Sequence, residues 1–239
     1  MNPELSVVIP AYNEEKMLQD TAKRLHSFLS FHYKNFEIII GNDGSKDKTP
    51  EIAANLSRKF KNIRMVSNEI NQGRGSILTK AFKESRGEYI SYVDADLAIK
   101  IELLPKLIDC LKNGCDAATG SKHLKDSKVE YGKLRRVLSN FYSLLSRIIL
   151  SCPIKDYQCG MKAFRKKSFM RMLPRIREKG WAWDTEVLAL SFYNKLKIAE
   201  LPAEVVDVPG RKSKVVVLRD AYLMFLSLLR IRKHRKKFR

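Results

Sequence analysis

Asp94 and Asp96 place two carboxylates one residue apart, directly after Tyr89–Val93, an apolar segment typical of a buried strand. In an open α/β sheet, ligands bind beyond the carboxyl ends of the strands. Two anions held close together are costly unless a cation neutralises them. Mg²⁺ and Mn²⁺ take carboxylate oxygens and share their coordination shell with substrate phosphates, so the pair indicates a metal-bridged nucleotide diphosphate. The alternative is a turn that caps the next helix, because aspartate is common in turns.

Polar segments also follow three other predicted strands, at Pro10–Glu15, Asn42–Asp47 and Asn71–Ser76. Taken alone, each segment is compatible with an ordinary turn. Together, four polar loops at one edge of a parallel sheet form a crevice of nucleotide size. The glycines Gly73 and Gly75 do not complete the dinucleotide-binding pattern G-x-G-x-x-G, and we expect them to permit a tight turn or a close backbone approach.

The elements that must position these loops alternate between strand and helix patterns. Apolar segments predict strands at 5–10, 36–41, 63–66, 89–93 and 116–120, and helical spacing predicts helices at 14–31, 49–60, 77–84 and 102–112. This alternation predicts an α/β fold of Rossmann-like type, with a mostly parallel central sheet and helices on both faces. The second half is less regular, with a polar loop at 122–133, helices at 134–150 and 184–193, strands near 198–201 and 205–208, and an apolar helix at 218–231.

The net charge of +20 implies an anionic partner, which could be nucleic acid, anionic lipid or a phosphorylated substrate. The basic residues concentrate at one end, since Arg211–Arg239 contains eleven lysines and arginines and one acid. No nucleic-acid-binding motif accompanies them, so a nucleic-acid-binding protein is the less favoured class and we expect no nucleic acid partner. No apolar segment reaches the ~18 residues of a membrane span. The four cysteines lack paired metal-binding spacing, which favours a cytoplasmic protein.

Four segments of the first half resemble those of the family 2 glycosyltransferases: S-V-V-I-P-A-Y-N-E-E, N-D-G-S-K-D-K-T, N-Q-G-R-G and Y-V-D-A-D. The resemblance implies a nucleotide-binding fold of the glycosyltransferase A type. Segments of the second half are similar to those of polyprenyl-phosphate hexosyltransferases, most of all the dolichyl-phosphate β-glucosyltransferase branch: D-Y-Q-C-G-M-K, W-A-W-D-T-E and V-P-G-R-K-S-K. Ala98 stands where mannosyltransferases usually have glutamine, which also favours the glucosyl branch. Asn42 departs from the usual D-D-G-S by replacing its first aspartate.

The resemblance implies roles for individual residues. It assigns nucleotide binding to Pro10, Ala11, Tyr12, Glu14, Asp43, Gly73, Arg74, Asp94, Ala95 and Asp96. It assigns Asp94 and Asp96 to Mg²⁺ or Mn²⁺, and catalytic roles to Asp96 and Asp184, although Asp184 could instead be a simple helix N-cap. A phosphate acceptor also needs groups that bind it and offset its charge, and we expect these to be Lys122, Arg135, Arg136, Gln158, Lys212 and Lys214, although the basic residues among them could instead be solubilising surface charge. A glycine followed by basic residues further predicts a lid at Gly210–Lys214 over the diphosphate.

The reaction implied by the resemblance moves a hexose from a nucleotide sugar to a polyprenyl phosphate. The expected donor is UDP-glucose and the expected acceptor a dolichyl-type lipid phosphate, with GDP-mannose as the alternative donor. Such a monophosphate is mostly a dianion at pH 7, so it needs no general base to attack the sugar. Direct displacement would therefore invert the configuration of the anomeric carbon.

The same resemblance and the terminal charge predict how the chain is divided. We expect residues 1–217 to form the glycosyltransferase domain, with a nucleotide half at 1–121 and an acceptor half at 122–217. Residues 218–239 combine an apolar helix with a basic tail, which suits peripheral attachment to an anionic membrane surface on its cytoplasmic face. The alternative is a helix docked on the core and followed by a solvated tail.

Overall fold

A computed structural model describes residues 2–130, 132–206, 208 and 217–235. Its strands are β1 Leu5–Ala11, β2 Phe36–Asp43, β3 Ile63–Asn68, β4 Tyr89–Val93, β5 Ala117–Ser121, β6 Lys128–Val129, β7 Met161–Arg165, β8 Ile198–Pro202 and β9 Glu204–Val205. Seven of them form a central sheet in the order β3-β2-β1-β4-β7-β5-β8, and β6 pairs with β9 in a separate small sheet. Every residue of β1, β2 and β4 is buried, as expected for parallel strands covered on both faces.

The central sheet is parallel except at β7, which runs antiparallel to both of its neighbours, β4 and β5. The predicted α/β fold with a mostly parallel sheet is therefore confirmed. The sequence patterns did not predict β7, because Lys162 interrupts its apolar residues although the side chain is buried. The polar loop predicted at 122–133 contains the short strand β6, and its partner β9 ends at Val205 instead of continuing to Val208.

The described helices are α1 Leu18–His32, α2 Thr49–Lys59, α3 Arg74–Glu84, α4 Leu103–Lys112, α5 Lys133–Leu150, α6 Lys166–Met172, α7 Trp183–Tyr193 and α8 Val217–Arg235. α2 carries Pro50 in its first turn, where the missing N–H is no loss. α1 begins at Leu18 and not at Glu14, because Asn13 has a left-handed φ of 51° and the following residues form a turn. α3 begins three residues before the predicted start, α8 continues four residues past the predicted end, and α6 was not predicted, whereas the other helix boundaries lie within one residue of the predicted ones.

Helices cover both faces of the sheet, and alternate residues of each strand face opposite layers. Val7 and Ile9 of β1 pack with α1, α2 and α4 in one core cluster. Val8 packs on the other face with α3, α6 and α7, in a cluster that contains Phe82 and Trp183. The carboxyl ends of β1, β2 and β4 consequently lie at one edge between these two layers.

α5 and α8 pack against each other at the side of the fold. Leu228 and Ile231 of α8 are buried in a third cluster with Leu150, Tyr157 and Leu188. The predicted alternative of a helix docked on the core is thus correct for one face of α8, while apolar side chains of its other face stay exposed. In the described residues, each helix is too short or too polar to cross a membrane.

Candidate active site

A cavity of about 530 Å³ opens at the carboxyl ends of β1, β2 and β4, and we call it the strand-end cavity. Its lining residues are Pro10, Ala11, Tyr12, Glu14, Asp43, Asn71, Gly73, Arg74, Ile77, Asp94, Ala95, Gly180, Trp181, Arg219 and Asp220. Nine of the ten residues predicted to bind the nucleotide belong to this set, and the tenth, Asp96, follows in the turn after Ala95. The structure therefore brings the predicted residues together, while their contact with a nucleotide stays a prediction.

Asp43, at the end of β2, holds the neighbouring loop in place. Its Oδ1 accepts hydrogen bonds from Asn68 Nδ2 at 2.8 Å and from the backbone N–H of Gln72 at 3.0 Å, and its Oδ2 accepts one from Gly73 N at 2.8 Å. Gly73 has a φ of 103°, and a Cβ there would lie 2.5 Å from the carbonyl oxygen of Lys179. Gly73 is the N-cap residue of α3, and the close backbone approach predicted for it is confirmed.

The two aspartates of D-A-D lie in a tight turn after β4. The backbone N–H of Leu97 donates to the carbonyl oxygen of Asp94 at 3.0 Å, and Asp96 Oδ1 accepts from Ala98 N at 3.0 Å. Leu97 has a left-handed φ of 48°, which is strained for a residue with a branched side chain. Backbone strain of this kind is found where the surrounding structure holds a functional loop in one conformation.

The oxygen ligands of this turn fit Mg²⁺ or Mn²⁺. Such an ion is commonly held by one or two carboxylates, with the rest of its shell taken from substrate phosphates and water. Across the described residues, no group of three or more His, Cys, Asp or Glu side chains gathers into a complete protein-made metal site. Asp94 and Asp96 together with a bound diphosphate would supply the shell.

Arg74, the first residue of α3, lies between two carboxylates that are far apart in sequence. Its Nη2 donates to Asp94 Oδ1 at 2.7 Å and its Nη1 to Asp184 Oδ2 at 2.6 Å. The guanidinium carbon lies 4.7 Å from the ring centre of Tyr92 and 5.9 Å from that of Trp181. Ion pairs and ring contacts thus fix a cation at the wall of the strand-end cavity.

Asp184 is buried at the start of α7, and both of its oxygens have partners. Oδ2 binds Arg74, and Oδ1 accepts hydrogen bonds from Lys162 Nζ at 2.8 Å and from the hydroxyl of Tyr92. Burial would raise the pKa of this carboxyl, but the attraction of Lys162 and Arg74 outweighs burial and the pKa is lowered. The N-cap alternative is wrong, because Ala182 occupies that position. The catalytic role of Asp184 stays a prediction.

A second cavity, of about 540 Å³, lies between the end of β5 and α5, and we call it the basic cavity. Its lining residues are Lys122, His123, Leu124, Ser127, Val129, Arg136, Asn140, Ser143, Leu144, Arg147 and Lys155. Lys122 and Arg136 were predicted to bind the acceptor, whereas Arg147 and Lys155 were not. The sequence contained a signal for Arg147, because Arg135, Arg136 and Arg147 form the basic face of the helix predicted at 134–150. The approach of Lys155 depends on the tertiary fold.

The buried carboxylate of Asp156 holds one wall of the basic cavity. Its Oδ2 accepts from Lys122 N at 2.8 Å and lies 3.2 Å from Lys122 Nζ, and its Oδ1 accepts from Gln158 N at 2.9 Å. Burial would raise the pKa of Asp156, but the attraction of Lys122 outweighs the effect of burial and lowers the pKa.

The Gln158 side chain points away from the basic cavity, with Nε2 donating to Trp181 O at 3.2 Å and to Thr185 Oγ1 at 2.8 Å. The structure does not bring Gln158 into the basic cavity.

The remaining predicted acceptor residues cannot be placed. Lys212, Lys214 and the lid predicted at Gly210–Lys214 lie outside the described residues, and of Arg135 only the backbone, in α5, is described.

Exposed apolar side chains cover the outer faces of α5 and α8, and we call this region the α5–α8 surface. It consists of Val137, Leu138, Phe141, Leu144 and Ile148 on α5, and Tyr222, Leu223, Phe225 and Leu229 on α8. Each of these residues is between 39% and 66% exposed. Leu144 also lines the basic cavity, so the cavity opens beside the apolar surface. Exposed apolar residues that gather on two helices packed against each other, as on α5 and α8, indicate an interaction site for a membrane or a protein.

The sequence and the fold both match known proteins. The family model described as glycosyl transferase family 2 matches residues 6–173. Glycosyltransferase AglD of Haloferax volcanii is 36% identical over 95% of this chain, which spans 36% of the length of that protein. The dolichyl-phosphate β-glucosyltransferase of Homo sapiens is 32% identical over 87% of this chain and 69% of its own length. The dolichol-phosphate mannosyltransferase of Pyrococcus furiosus is 36% identical over 69% of this chain and 47% of its own length.

Among solved structures, glucosyl-3-phosphoglycerate synthase from Mycobacterium tuberculosis superposes with a TM-score of 0.70 over 98% of this chain and 80% of that chain. That structure was determined in complex with Mn²⁺, UDP and glucosyl-3-phosphoglycerate. At 20% identity, the likeness shows a common fold.

Proposed function

This chain belongs to glycosyl transferase family 2, and we propose that it transfers glucose from UDP-glucose to a polyprenyl phosphate of the dolichyl type. The meeting of Asp94, Arg74 and the other predicted nucleotide residues in one cavity carries this proposal. The relatives support it, since several of them are named dolichyl-phosphate β-glucosyltransferases. The chain spans only 36% of the length of the Haloferax protein. The activity proposed for this chain therefore rests on its own site.

The strand-end cavity suits the nucleotide sugar. Tyr12 offers a ring for the base, and Asp43 and Glu14 offer acceptors for the nucleoside. Arg74 offers a positive charge beside Asp94, where the diphosphate would lie. Mg²⁺ or Mn²⁺ would be held by Asp94 and Asp96 and would stabilise the departing nucleoside diphosphate as a Lewis acid. Neighbouring structures contain UDP with Mn²⁺ or Mg²⁺, which supports this choice of cofactor for the fold.

The basic cavity suits the acceptor phosphate. Lys122, Arg136, Arg147 and Lys155 surround a space large enough for a phosphate and the first part of its chain. These cations would offset the charge of the dianion and orient it, which is the main task when the nucleophile needs no base. The segment 156–160 joins the two cavities, because Asp156 binds Lys122 and Gly160 adjoins Asp94.

Chemically, the phosphate oxygen would attack the anomeric carbon as the bond to the nucleoside diphosphate breaks. A single displacement from an α-linked donor would give a β-linked product. Binding in two cavities joined by a short segment holds both reactants in reach of each other, so positioning supplies much of the rate enhancement.

We further propose that the α5–α8 surface attaches the protein peripherally to the cytoplasmic face of an anionic membrane. Its apolar residues would enter the membrane–water interface, and the basic residues that flank them would favour binding to anionic lipid. This extends the proposed division of the chain, in which 1–217 is the catalytic domain with halves at 1–121 and 122–217, and 218–239 is the attachment segment. In the proposed arrangement, α5 of the catalytic domain contributes to attachment as well.

The test is a transfer assay with the purified protein. UDP-glucose, GDP-mannose and other nucleotide sugars are each incubated with a short polyprenyl phosphate and Mg²⁺ or Mn²⁺, and the lipid product is identified by mass and its anomeric configuration by NMR. We expect a β-glucosyl lipid phosphate. The Pyrococcus relative supports mannose from GDP-mannose as the second candidate. Transfer to a soluble sugar but not to the lipid phosphate would overturn the proposed acceptor.

A further inference from the structure

Lys162 lies in β7 and has no solvent-exposed surface, although lysine is rarely buried completely. Its Nζ donates to Asp184 Oδ1 and to the carbonyl oxygen of Cys159, both at 2.8 Å, and to the hydroxyl oxygen of Tyr92 at 3.1 Å. An ammonium group has three protons to donate, and here each has an acceptor. The surroundings are therefore built to hold this side chain.

Lys162 begins a chain of alternating charges that ends in the strand-end cavity. Lys162 pairs with Asp184 at 2.8 Å, Asp184 with Arg74 at 2.6 Å and Arg74 with Asp94 at 2.7 Å. Two cations balance two anions, so each buried charge of the group has a partner of opposite sign. Arg74 and Asp94 line the cavity, whereas Lys162 and Asp184 lie behind them. The charged groups that connect Lys162 to the cavity are Asp184 and Arg74.

The two oxygens of Asp184 have different partners. Oδ1 is occupied by Lys162 and Tyr92, and Oδ2 by Arg74 Nη1. A carboxylate and a guanidinium otherwise tend to pair through two parallel hydrogen bonds. Because Oδ1 is already taken, Arg74 gives Asp184 one nitrogen and keeps Nη2 at Asp94.

We infer that Lys162 is a positioning residue for the donor: by occupying Asp184 Oδ1, it prevents Arg74 from closing a two-bond pair with Asp184 and keeps Arg74 Nη2 at the cavity, available to the diphosphate. The inference rests on the proposed function, because it assumes that the strand-end cavity binds a nucleoside diphosphate. It gives Asp184 the role of an anchor that acts through Arg74.

The experiment compares wild type with Lys162→Met by calorimetric titration of UDP in the presence of Mn²⁺. We expect the Kd for UDP to rise by about tenfold or more, as when a charge-assisted hydrogen bond is lost. The donor KM should rise in parallel, with the acceptor KM unchanged. A folded Lys162→Met variant that binds UDP as tightly as wild type overturns the inference.

A second variant separates positioning from simple packing. In Lys162→Met/Asp184→Asn, the carboxylate that would withdraw Arg74 is gone, so UDP should bind more tightly than to Lys162→Met alone. A role in packing alone predicts no such recovery, and a double variant that binds UDP more weakly than the single one overturns the inference. Should Lys162→Met fail to fold, the double variant is compared with Arg74→Met. Tighter UDP binding by the double variant supports the inference, and equal binding overturns it.

Lys166→Met is the matched control. Lys166 begins α6 one residue after β7, and its Nζ donates to the carbonyl oxygen of Ser85, away from both cavities. The Lys166→Met variant should leave UDP binding unchanged, and a loss of UDP affinity equal to that of Lys162→Met would overturn the inference.

GDP with Mn²⁺ is titrated alongside UDP, and the nucleotide that wild type binds is used for all variants. A wild type that binds neither nucleotide overturns the proposed function and the inference together, whereas nucleotide binding that Lys162→Met leaves intact overturns the inference alone.

Discussion

Gly160 leaves the space that the carboxylate of Asp94 occupies. A Cβ built on Gly160 would lie 2.1 Å from Asp94 Oδ2 and 3.1 Å from Asp94 Cγ, far inside contact distance. Asp94 Oδ1 is held at the same time by Arg74. The carboxylate is thus confined between a backbone that lacks a side chain and a cation, which fixes its position in the strand-end cavity.

Gly160→Ala should therefore displace Asp94 without unfolding the protein. The effect is steric, because only the added methyl group and not the backbone conformation causes the clash. We expect transfer to fall by about a hundredfold, the size of loss that a 1 Å misplacement in an active site can cause. Transfer rate and Mn²⁺ affinity in the presence of UDP are the measurements.

Gly132→Ala is the control for this substitution. A Cβ at Gly132 would meet nothing within 4 Å, and its φ of −55° suits any residue. This variant should keep wild-type activity and melting temperature. A fully active Gly160→Ala variant would show that Asp94 does not need its present position.

Removing Asp96, one of the two carboxylates proposed to hold the metal, should abolish transfer. We expect Asp96→Ala to lose several powers of ten in rate while folding normally, because stabilising the leaving diphosphate is worth several kcal/mol. EDTA should abolish wild-type activity, and added Mg²⁺ or Mn²⁺ should restore it. Asp126→Ala, which removes an exposed aspartate outside the strand-end cavity, is the control. Full activity in EDTA would contradict a metal-dependent reaction.

Neutralising the basic cavity should weaken acceptor binding selectively. Arg136→Ala/Arg147→Ala removes two of its lining cations, and each charge-assisted hydrogen bond is worth about 1.5–3 kcal/mol. The acceptor KM should rise by at least about tenfold, since 1.4 kcal/mol is a factor of ten, while the donor KM stays constant. Steady-state kinetics with each substrate varied in turn test this.

The control for the basic cavity is Arg58→Ala, which removes an exposed arginine on α2. It should leave both KM values unchanged. If the double variant raised the donor and acceptor KM values equally, the basic cavity would not be the acceptor site.

The strand-end loops were predictable because buried parallel strands leave a plain pattern in sequence. β1, β2 and β4 are mostly apolar, and polar residues gather at the carboxyl end of each strand or directly after it. Parallel strands end at one edge, so residues 80 positions apart, such as Asp94 and Glu14, are expected in one cavity. The pattern of apolar strands with polar ends was therefore sufficient to predict that these residues line this cavity.

The parts that sequence patterns missed depend on contacts that no local rule describes. Lys162 looks like an exposed residue in sequence, and it can be buried only because Asp184 and Tyr92 reach it in the folded chain. Arg219 and Asp220 line the strand-end cavity because α8 packs back against the domain, more than a hundred residues after β4. Their part in the site could be recognised only from the tertiary structure.

The buried pair of Lys122 and Asp156 should make stability sensitive to acid. The folded state lowers the pKa of Asp156, so the unfolded chain binds more protons as pH falls below about 4. The stabilising contribution is therefore complete above that pH and is lost on acidification towards the folded pKa. Asp156→Asn should be less stable than wild type at pH 7 and lose less stability between pH 5 and pH 3. Melting curves across this range test the prediction, which parallel curves for the two proteins would contradict.

Membrane attachment should require the apolar residues of both α5 and α8. Phe141→Glu on α5 and Phe225→Glu on α8 each place a charge in the α5–α8 surface, where burying an apolar side chain of this kind contributes roughly 2 kcal/mol. Each variant should bind anionic liposomes less tightly than wild type in flotation assays, and binding of all forms should weaken as salt rises.

Phe31→Glu is the control for membrane attachment, because Phe31 is 87% exposed on α1 and outside this surface. Reaction with a short, water-soluble acceptor should survive in all three variants, since none of these residues lines either cavity. If Phe141→Glu floated with liposomes as well as wild type while Phe225→Glu did not, attachment would depend on α8 alone.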